Sequence, residues 1–469
     1  MQYRYTILER LSFFILHFSL FISRTIIDRT LASPLGEAGY KVAEVIIDAG
    51  YECNWVGGAV RDMALGHLPK EIDMTVSGKP ANIVTLFKKV DDSASELGTL
   101  VVSLAGHTFE ITTYREESDV SDGRKPEAVV FSTKEKDAKR RDATMNAIYW
   151  NPISREVYDP FDGLTDCREK LVRFIGDPEE RIKHDALRSL RLVRLRASIS
   201  GQYDPETYRA LRKTAEKTKV LSGMRILQEL DKILACPHPE VAYEDLFELG
   251  ILDNILPELA ECKGVAQPAQ FHAEGDVWNH LMTCVMKFTE DHGSDVRLAV
   301  LFHDIGKVQT FSVKERIRFD HHAEVSADLA EKILKRLQAP SERTKKIAWL
   351  IRHHMMMGSF KTLSDDRKAH WYFHPWFREL LELFYLDAVG TEPNDLGLYD
   401  TIIADYNEFL NTHPRPERPL LSGDDIMELL HLEPSKELGD IMQKLYQAQV
   451  RKEITSKEEA KEFLRSLKR

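Results

Sequence analysis

Two carboxylates beside a glycine turn are the first residues of this chain whose types and spacing suggest chemistry. Val56-Gly57-Gly58-Ala59-Val60-Arg61-Asp62 is followed by Glu71-Ile72-Asp73. Side chains two apart on a strand share a face, so Glu71 and Asp73 are expected to reach one metal ion together. Phe109-Glu110-Ile111-Thr112-Thr113-Tyr114-Arg115 carries another strand pattern. Glu110 would complete a carboxylate trio able to hold two Mg²⁺ ions for in-line displacement at a nucleotide α-phosphate. Gly57 and Gly58 would let backbone N–H groups approach the triphosphate. Taken singly, a Gly-Gly turn and an acidic strand end are an ordinary turn and a solvated edge, so neither carries the assignment without the motifs downstream.

A second constellation lies in the other half of the chain. His280 sits in Asp276-Val277-Trp278-Asn279-His280, the pair His303-Asp304 in Leu301-Phe302-His303-Asp304-Ile305-Gly306-Lys307, and Asp387 in Tyr385-Leu386-Asp387-Ala388. Imidazoles and carboxylates on separate helices can converge on a divalent metal inside a helical bundle. One histidine on an apolar helix is usually structural; the His303-Asp304 pair followed by Gly306-Lys307 argues for ligands instead.

Three more motifs stand in order between these sites: Arg140-Arg141-Asp142-Ala143-Thr144-Met145-Asn146-Ala147, Arg181-Ile182-Lys183-His184-Asp185-Ala186-Leu187-Arg188-Ser189-Leu190-Arg191, and Leu221-Ser222-Gly223-Met224-Arg225-Ile226-Leu227. If Asp185 and Arg188 lie one helical turn apart on one face, they set an acceptor beside a fork of donors. Cytosine and adenine both present an amino donor next to a ring-nitrogen acceptor, whereas uracil and guanine present the opposite order. Such a pair would accept CTP and ATP and refuse UTP and GTP without a template. The bland alternative is a surface ion pair.

Together these motifs resemble the bacterial class II tRNA nucleotidyltransferase and poly(A) polymerase family over roughly residues 40–235. The resemblance implies that Glu71, Asp73 and Glu110 are catalytic, with Glu71 and Asp73 as Mg²⁺ ligands. It implies that Arg140, Arg141 and Asp142 hold ribose and phosphates, Asp142 meeting the 2′-hydroxyl, and that Gly57, Gly58, Arg61, Asp185, Arg188, Arg191 and Arg194 complete the nucleotide site. Two positions depart from the family pattern: Glu71 replaces the usual Asp, and His184 the usual Glu before Asp185. Mg²⁺ requires near-octahedral geometry at about 2.0–2.1 Å, so an extra methylene matters. The second half is similar to the H…HD…D phosphohydrolase superfamily over about residues 270–395, with His322 and His354 matching the extra histidines of two-metal members. The resemblance implies a divalent transition metal or Mg²⁺ held by His280, His303, Asp304, His322, His354 and Asp387. Leu421–Leu429 and Gln447–Thr455 resemble the tail of nucleotidyltransferases that carry this domain.

The implied function is addition of CCA to the 3′ end of tRNA, with tRNA, ATP and CTP as partners. Poly(A) polymerases typically follow the active-site strand with a basic segment, where this chain has Ala105-Gly106-His107-Thr108-Phe109. A loop, Glu116–Pro126, is of the kind associated with switching from C to A addition and shortened in CC-only enzymes. Full CCA addition is therefore favoured, with A-only addition open. The reading from another class is an RNA-binding hydrolase whose polymerase site Glu71 has impaired.

These sites need elements to carry them. Short strands are expected near 52–56, 71–76, 99–104 and 108–114, with a helix Ala59–Leu65 between them. From about residue 170, spacings such as Leu187, Leu190, Leu195 and Ile226, Leu230, Ile233, Leu234 require helices. The fold class is α+β: a small mixed-sheet head on a mostly helical body. Expected divisions are a hydrophobic extension over 1–35, a catalytic head over 36–165, a helical recognition region over 166–265, the metal-hydrolase domain over 266–410, and a helical tail over 411–469, entered through Pro414, Pro416 and Pro419. At 469 residues and 30% charged side chains, a soluble multi-domain enzyme fits.

The net charge of −11 looks wrong for an RNA binder, yet from Arg168 to Lys219 there are 14 Lys/Arg against 8 Asp/Glu. An ordinary charged helix face is the plainer explanation of that segment. Cys53, Cys167, Cys236, Cys262 and Cys284 show no paired spacing, which suits reduced thiols in the cytoplasm. The apolar stretch Leu11–Ile22 resembles a signal-peptide core but is too short to span a bilayer. No stable membrane association and no protein partner are expected.

Overall fold

The computed structural model describes residues 22–116, 130–270, 272–313, 315–412, 419–433, 435–450 and 453–467. Residues 11–21 of the apolar stretch, 117–126 of the loop, and Pro414, Pro416, Arg451 and Lys452 lie outside those spans. The chain divides into two compact units, one up to Pro257 and the other from Glu258, so the division falls before the boundary expected at 265/266.

The first unit is built on a seven-stranded mixed sheet. Its strands are β1 (Cys53–Val56), β2 (Asp73–Val76), β3 (Val90–Asp91), β4 (Thr99–Leu104), β5 (His107–Thr113), β6 (Tyr149–Trp150) and β7 (Val157–Tyr158), in the order β3-β4-β5-β2-β1-β6-β7. The four strands expected from sequence are present, while β3, β6 and β7 were not legible because two-residue strands carry no periodicity. Ala105 and Gly106, at φ 51° and 81°, make the two-residue turn joining β4 to β5, a conformation whose twist matches antiparallel strands.

The helix Pro34–Asp48 covers one sheet face. Ser33 caps it through its Oγ, which accepts from Gly36 N at 3.0 Å, and Val42, Ala43 and Ile46 are fully buried. Gly39 lets it approach closely: a Cβ there would stand 3.1 Å from both Trp55 and Ile72 and 3.2 Å from Phe109. Further helices of this unit include Pro178–His184, Leu187–Ile199, Gly223–Leu234 and Pro239–Glu248. Leu190, Leu195, Ile226, Leu230, Ile233 and Leu234 are buried as their spacing required, with Leu187 partly so.

Among the described residues, the second unit is helical apart from a short strand pair, Phe311–Val313 with Ile317–Phe319. Helices Val277–Met286, Ser294–Phe302, His322–Arg336, Ser341–His353 and Phe377–Gly390 carry its polar centre. Three C-terminal helices, Gly423–Leu430, Lys436–Val450 and Lys457–Leu467, close around Leu421, Ile426, Leu445 and Leu464. All five cysteines are free. Among the described residues, no helix is long and apolar enough to cross a membrane.

Candidate functional site

In the first unit the carboxylates are gathered by strand register. β2 and β5 run parallel with Met74 opposite Ile111, so Asp73 and Glu110 stand level one step earlier. Met74 and Ile111 are each 1% exposed and face the core; alternation turns Asp73 and Glu110 to the other face. Glu71 lies in a bend before β2 rather than on the strand, and it is exposed. Burial, then the negative charges of Glu71 and Glu110, push the Asp73 carboxyl up to about 6, against the opposing pull of Arg141 and Lys232. The ionised Asp73 is thus disfavoured by burial and by its acidic neighbours, and a divalent cation would relieve that. The groups of described residues whose ligand atoms all lie within 4.8 Å of one another belong to the second unit, so the head trio is more open than that.

The glycine turn abuts this charge. Gly57 has φ 68° and ψ −131°, a conformation that side-chain-bearing residues avoid. A Cβ there would point toward Arg141 Nη1 at 3.8 Å and Asp73 Oδ2 at 3.9 Å, and one on Gly58 would meet Arg61 Nη2 at 3.5 Å. Arg61 Nη1 donates to Asn146 Oδ1 at 2.9 Å, and Asn146 Nδ2 donates to Asp142 Oδ1 at 3.0 Å. Asp142 is 7% exposed; its carboxylate also accepts from Ala143 N at 2.8 Å and pairs with Arg191 Nη2 at 2.8 Å. Burial would raise the Asp142 carboxyl, but Arg191 and these hydrogen bonds hold it far below the usual range.

The Asp185/Arg188 expectation is corrected. Asp185 is not on the helix of Arg188: it adopts an extended conformation (φ −152°, ψ 102°) after Pro178–His184, before Leu187–Ile199 begins. Its Oδ1 accepts from Leu187 N at 3.1 Å, two residues on, just ahead of the helix that Arg188 occupies. The carboxylate is held by Arg225 Nη2 at 3.0 and 2.9 Å, and Arg188 Nη2 instead donates to Arg140 O at 3.1 Å. Arg181 Nη2 also donates to Arg140 O, and to Arg141 O at 2.8 Å. Arg188 therefore braces the Arg140-Arg141 backbone. Arg194 pairs with Glu229 at 2.5 Å.

In the second unit all six expected ligands converge. His280 Nε2 lies 3.1 Å from Asp387 Oδ1, 3.3 Å from His303 Nε2 and 3.5 Å from Asp304 Oδ2. His322 Nε2 lies 3.4 Å from Asp304 Oδ1, and Asp304, His322 and His354 form one ligand group, His303, His354 and Asp387 another. Backbone carbonyls orient the rings: Nδ1 of His303, His322 and His354 contacts the oxygens of Val300, Phe319 and Ile351 at 2.8, 2.9 and 2.7 Å. Those bonds assign the proton to Nδ1 and turn the Nε2 lone pair inward. Asp304 Oδ1 is buried with no hydrogen-bond donor among the described residues. Inward lone pairs facing an orphaned carboxylate oxygen fit a divalent cation. Burial pushes Asp304 up, yet His303, Lys307, His322 and His280 hold it well below the carboxylate range; His354 is pushed down to about 4 by burial, then by His303. A cavity of about 550 Å³ opens onto Asp304, His322, His354 and Asp387, walled partly by Arg316, Arg318 and Phe319.

Comparison with known proteins matches both halves of the chain. The family described as the Poly A polymerase head domain matches residues 53–173, that described as the probable RNA and SrmB-binding site of polymerase A matches 202–263, and the HD domain matches 276–406. The chain is 32% identical to the CC-adding tRNA nucleotidyltransferase of Thermus thermophilus over 431 residues, covering 87% of this chain and 92% of that one. The chain belongs to the tRNA nucleotidyltransferase family. The CCA-adding enzyme of Lactobacillus helveticus is 34% identical over 227 residues, 48% of this chain, and the match spans only 56% of that relative's length. The crystal structure of the Bacillus stearothermophilus CCA-adding enzyme in complex with CTP has the same fold, with a TM-score of 0.60 at 22% identity over 93% of this chain and 98% of that one. The Thermotoga maritima CCA-adding enzyme complexed with tRNA has a TM-score of 0.51 at 17% identity, over 96% of this chain and 99% of that one.

Some residues of this tRNA nucleotidyltransferase family member escaped the sequence reading. Arg225 and Asn146 lie within the motif segments but nothing local in the sequence marks their partners, and Lys232 on Gly223–Leu234 is one cation among many. Glu274 was missed too: its Oε1 lies 3.0 Å from His280 Nδ1 and 2.7 Å from His272 Nδ1. Lys307 was noted only as following the His303-Asp304 pair, yet its Nζ lies 2.6 Å from Asp304 Oδ2. His322 is buried, whereas its neighbour His321 is exposed at φ 63°.

Proposed function

We propose that this chain adds CCA to the 3′ end of tRNA from CTP and ATP, without a template. The observation that carries the proposal is the parallel β2–β5 register, which sets Asp73 and Glu110 level beside the Gly57 turn, with Arg141 Nη1 next to it. Asp73, with Glu71 and Glu110, would hold Mg²⁺, which when bound neutralises charge on the α-phosphate and lowers the pKa of the attacking hydroxyl. Gly57 leaves space for phosphate oxygens, while Arg61 and Arg141 supply cations beside that space. Asp142, locked by Arg191 and Asn146, retains acceptor capacity for a ribose hydroxyl.

Base choice rests on Asp185, whose acceptor face is set by Arg225 rather than by Arg188. The Thermus relative's CC-adding name keeps partial addition in view; the acidic loop, present at full length in the sequence, favours complete CCA. The cytoplasm, where NTPs and tRNA meet, is the fitting compartment. The test is incubation of purified protein and Mg²⁺ with tRNA ending at its discriminator base. Sequential incorporation of labelled CTP and ATP is expected, and efficient UTP incorporation would overturn the base-selection argument.

A second activity is supported by the buried His/Asp cluster of the other unit. His280, His303, Asp304, His322, His354 and Asp387 would hold a divalent transition metal or Mg²⁺ for hydrolysis of 2′,3′-cyclic or 2′-phosphates. Arg316 and Arg318 stand on the cavity wall where a second anionic group would lie. His303→Ala with Asp304→Ala should abolish such hydrolysis and leave nucleotide addition intact.

A further inference from the structure

One buried carboxylate of the first unit takes no part in holding metal, ribose or base. Asp137, on the helix Lys134–Arg140, is 0% exposed. The two guanidinium groups it holds are those of Arg140 and Arg141: Oδ1 accepts from Arg140 Nε at 2.7 Å, and Oδ2 from Arg141 Nη2 at 3.2 Å. Tyr149 on β6 closes the triangle, its hydroxyl donating to Asp137 Oδ2 at 2.7 Å and accepting from Arg141 Nε at 2.9 Å. The arginine's plane is therefore fixed from two directions. Nε and Nη2 are spent on these partners, Nη1 reaches Asn146 O at 3.4 Å, and the same Nη1 borders the space beside Gly57 together with Asp73 Oδ2.

We propose that Asp137 and Tyr149 are a positioning pair that presents Arg141, and with it Arg140, to the polyphosphate of an incoming nucleotide. An unbraced arginine has rotamer freedom that ligand binding would have to remove. The buried carboxylate removes it in advance, and Tyr149 fixes which edge of the guanidinium is left for the ligand. This inference rests on the reading of the cleft as a nucleoside-triphosphate site. It adds that discrimination between triphosphate and monophosphate is set by a carboxylate that touches neither.

The test compares CTP and CMP binding by isothermal titration calorimetry with the full chain and Mg²⁺, using wild type, Tyr149→Phe, Asp137→Asn and Asp137→Glu. CTP affinity is expected to fall about tenfold in Asp137→Asn, in the same direction but less in Tyr149→Phe, and to recover partly in Asp137→Glu. CMP affinity should stay within about twofold throughout, because the monophosphate makes little use of the braced arginines. Equal losses for CTP and CMP would reduce the pair to scaffold and overturn the proposal, as would unchanged CTP affinity in the variants. If Asp137→Asn does not fold, the Tyr149→Phe result decides. Absence of CTP binding by the wild type would overturn the nucleotidyl-transfer reading itself, a result distinguishable from either failure.

Discussion

Replacing Asp73 by Asn should make the metal-free protein more stable while destroying nucleotide addition. In the folded chain the carboxyl is pushed from its ordinary 3.8 up to about 6, chiefly by burial and then by Glu71 and Glu110. Each pKa unit corresponds to 1.36 kcal/mol, so keeping Asp73 ionised costs about 3 kcal/mol at pH 8. A raised carboxyl pKa penalises the charged form: the penalty is fully present above about 6, shrinks as pH falls, and vanishes below 3.8. Asn has nearly the same shape and no charge. In EDTA at pH 8 the variant should therefore melt several degrees higher, given about 2–4 °C per kcal/mol for a unit of this size. At pH 5 the gain should be about half as large. Adding Mg²⁺ should raise the wild-type transition and leave the variant's unmoved. Differential scanning calorimetry, following the transition of the first unit, measures all of this. A variant that melts lower than wild type at pH 8, or whose gain is the same at pH 5, would refute the reading of Asp73 as a charge held at a cost for metal binding.

Glu71→Asp should keep or raise the rate of CTP incorporation, since Glu71 is exposed in a bend and only its carboxylate is needed; a tenfold loss in steady-state assays would make the glutamate a specialised feature. Arg225→Ala removes the cation that holds Asp185 at 2.9–3.0 Å, so misincorporation of UTP relative to CTP should rise by about tenfold in competition assays, and unchanged selectivity would return the role to Arg188. His322→Ala should lower the metal content of the second unit, measured by inductively coupled plasma mass spectrometry, whereas His321→Ala, exposed and off the cluster, should leave it unchanged.

Much of this was present in residue order. Asp73 and Glu110, the Gly57-Gly58 turn and the Arg140-Arg141-Asp142 run were legible as short local patterns, and the six His/Asp residues that converge in the second unit were legible through their resemblance to the H…HD…D pattern; Glu71 was placed on a strand that begins only at Asp73.

What residue order could not settle is pairing across distance. Asp185 and Arg188 are three positions apart, and helical periodicity joins them; the chain breaks its helix between them, so Asp185 stands in extended backbone between two helices while its charge is met by Arg225, forty positions away. Asp142 found Arg191, Asp137 found Arg140, Arg141 and Tyr149, and His280 found Glu274. Residue order determines which charges exist, and local propensity determines which elements bear them. Which cation neutralises which buried carboxylate depends on how sheet and helices pack, because a charge removed from water takes whatever counter-charge the fold brings within reach.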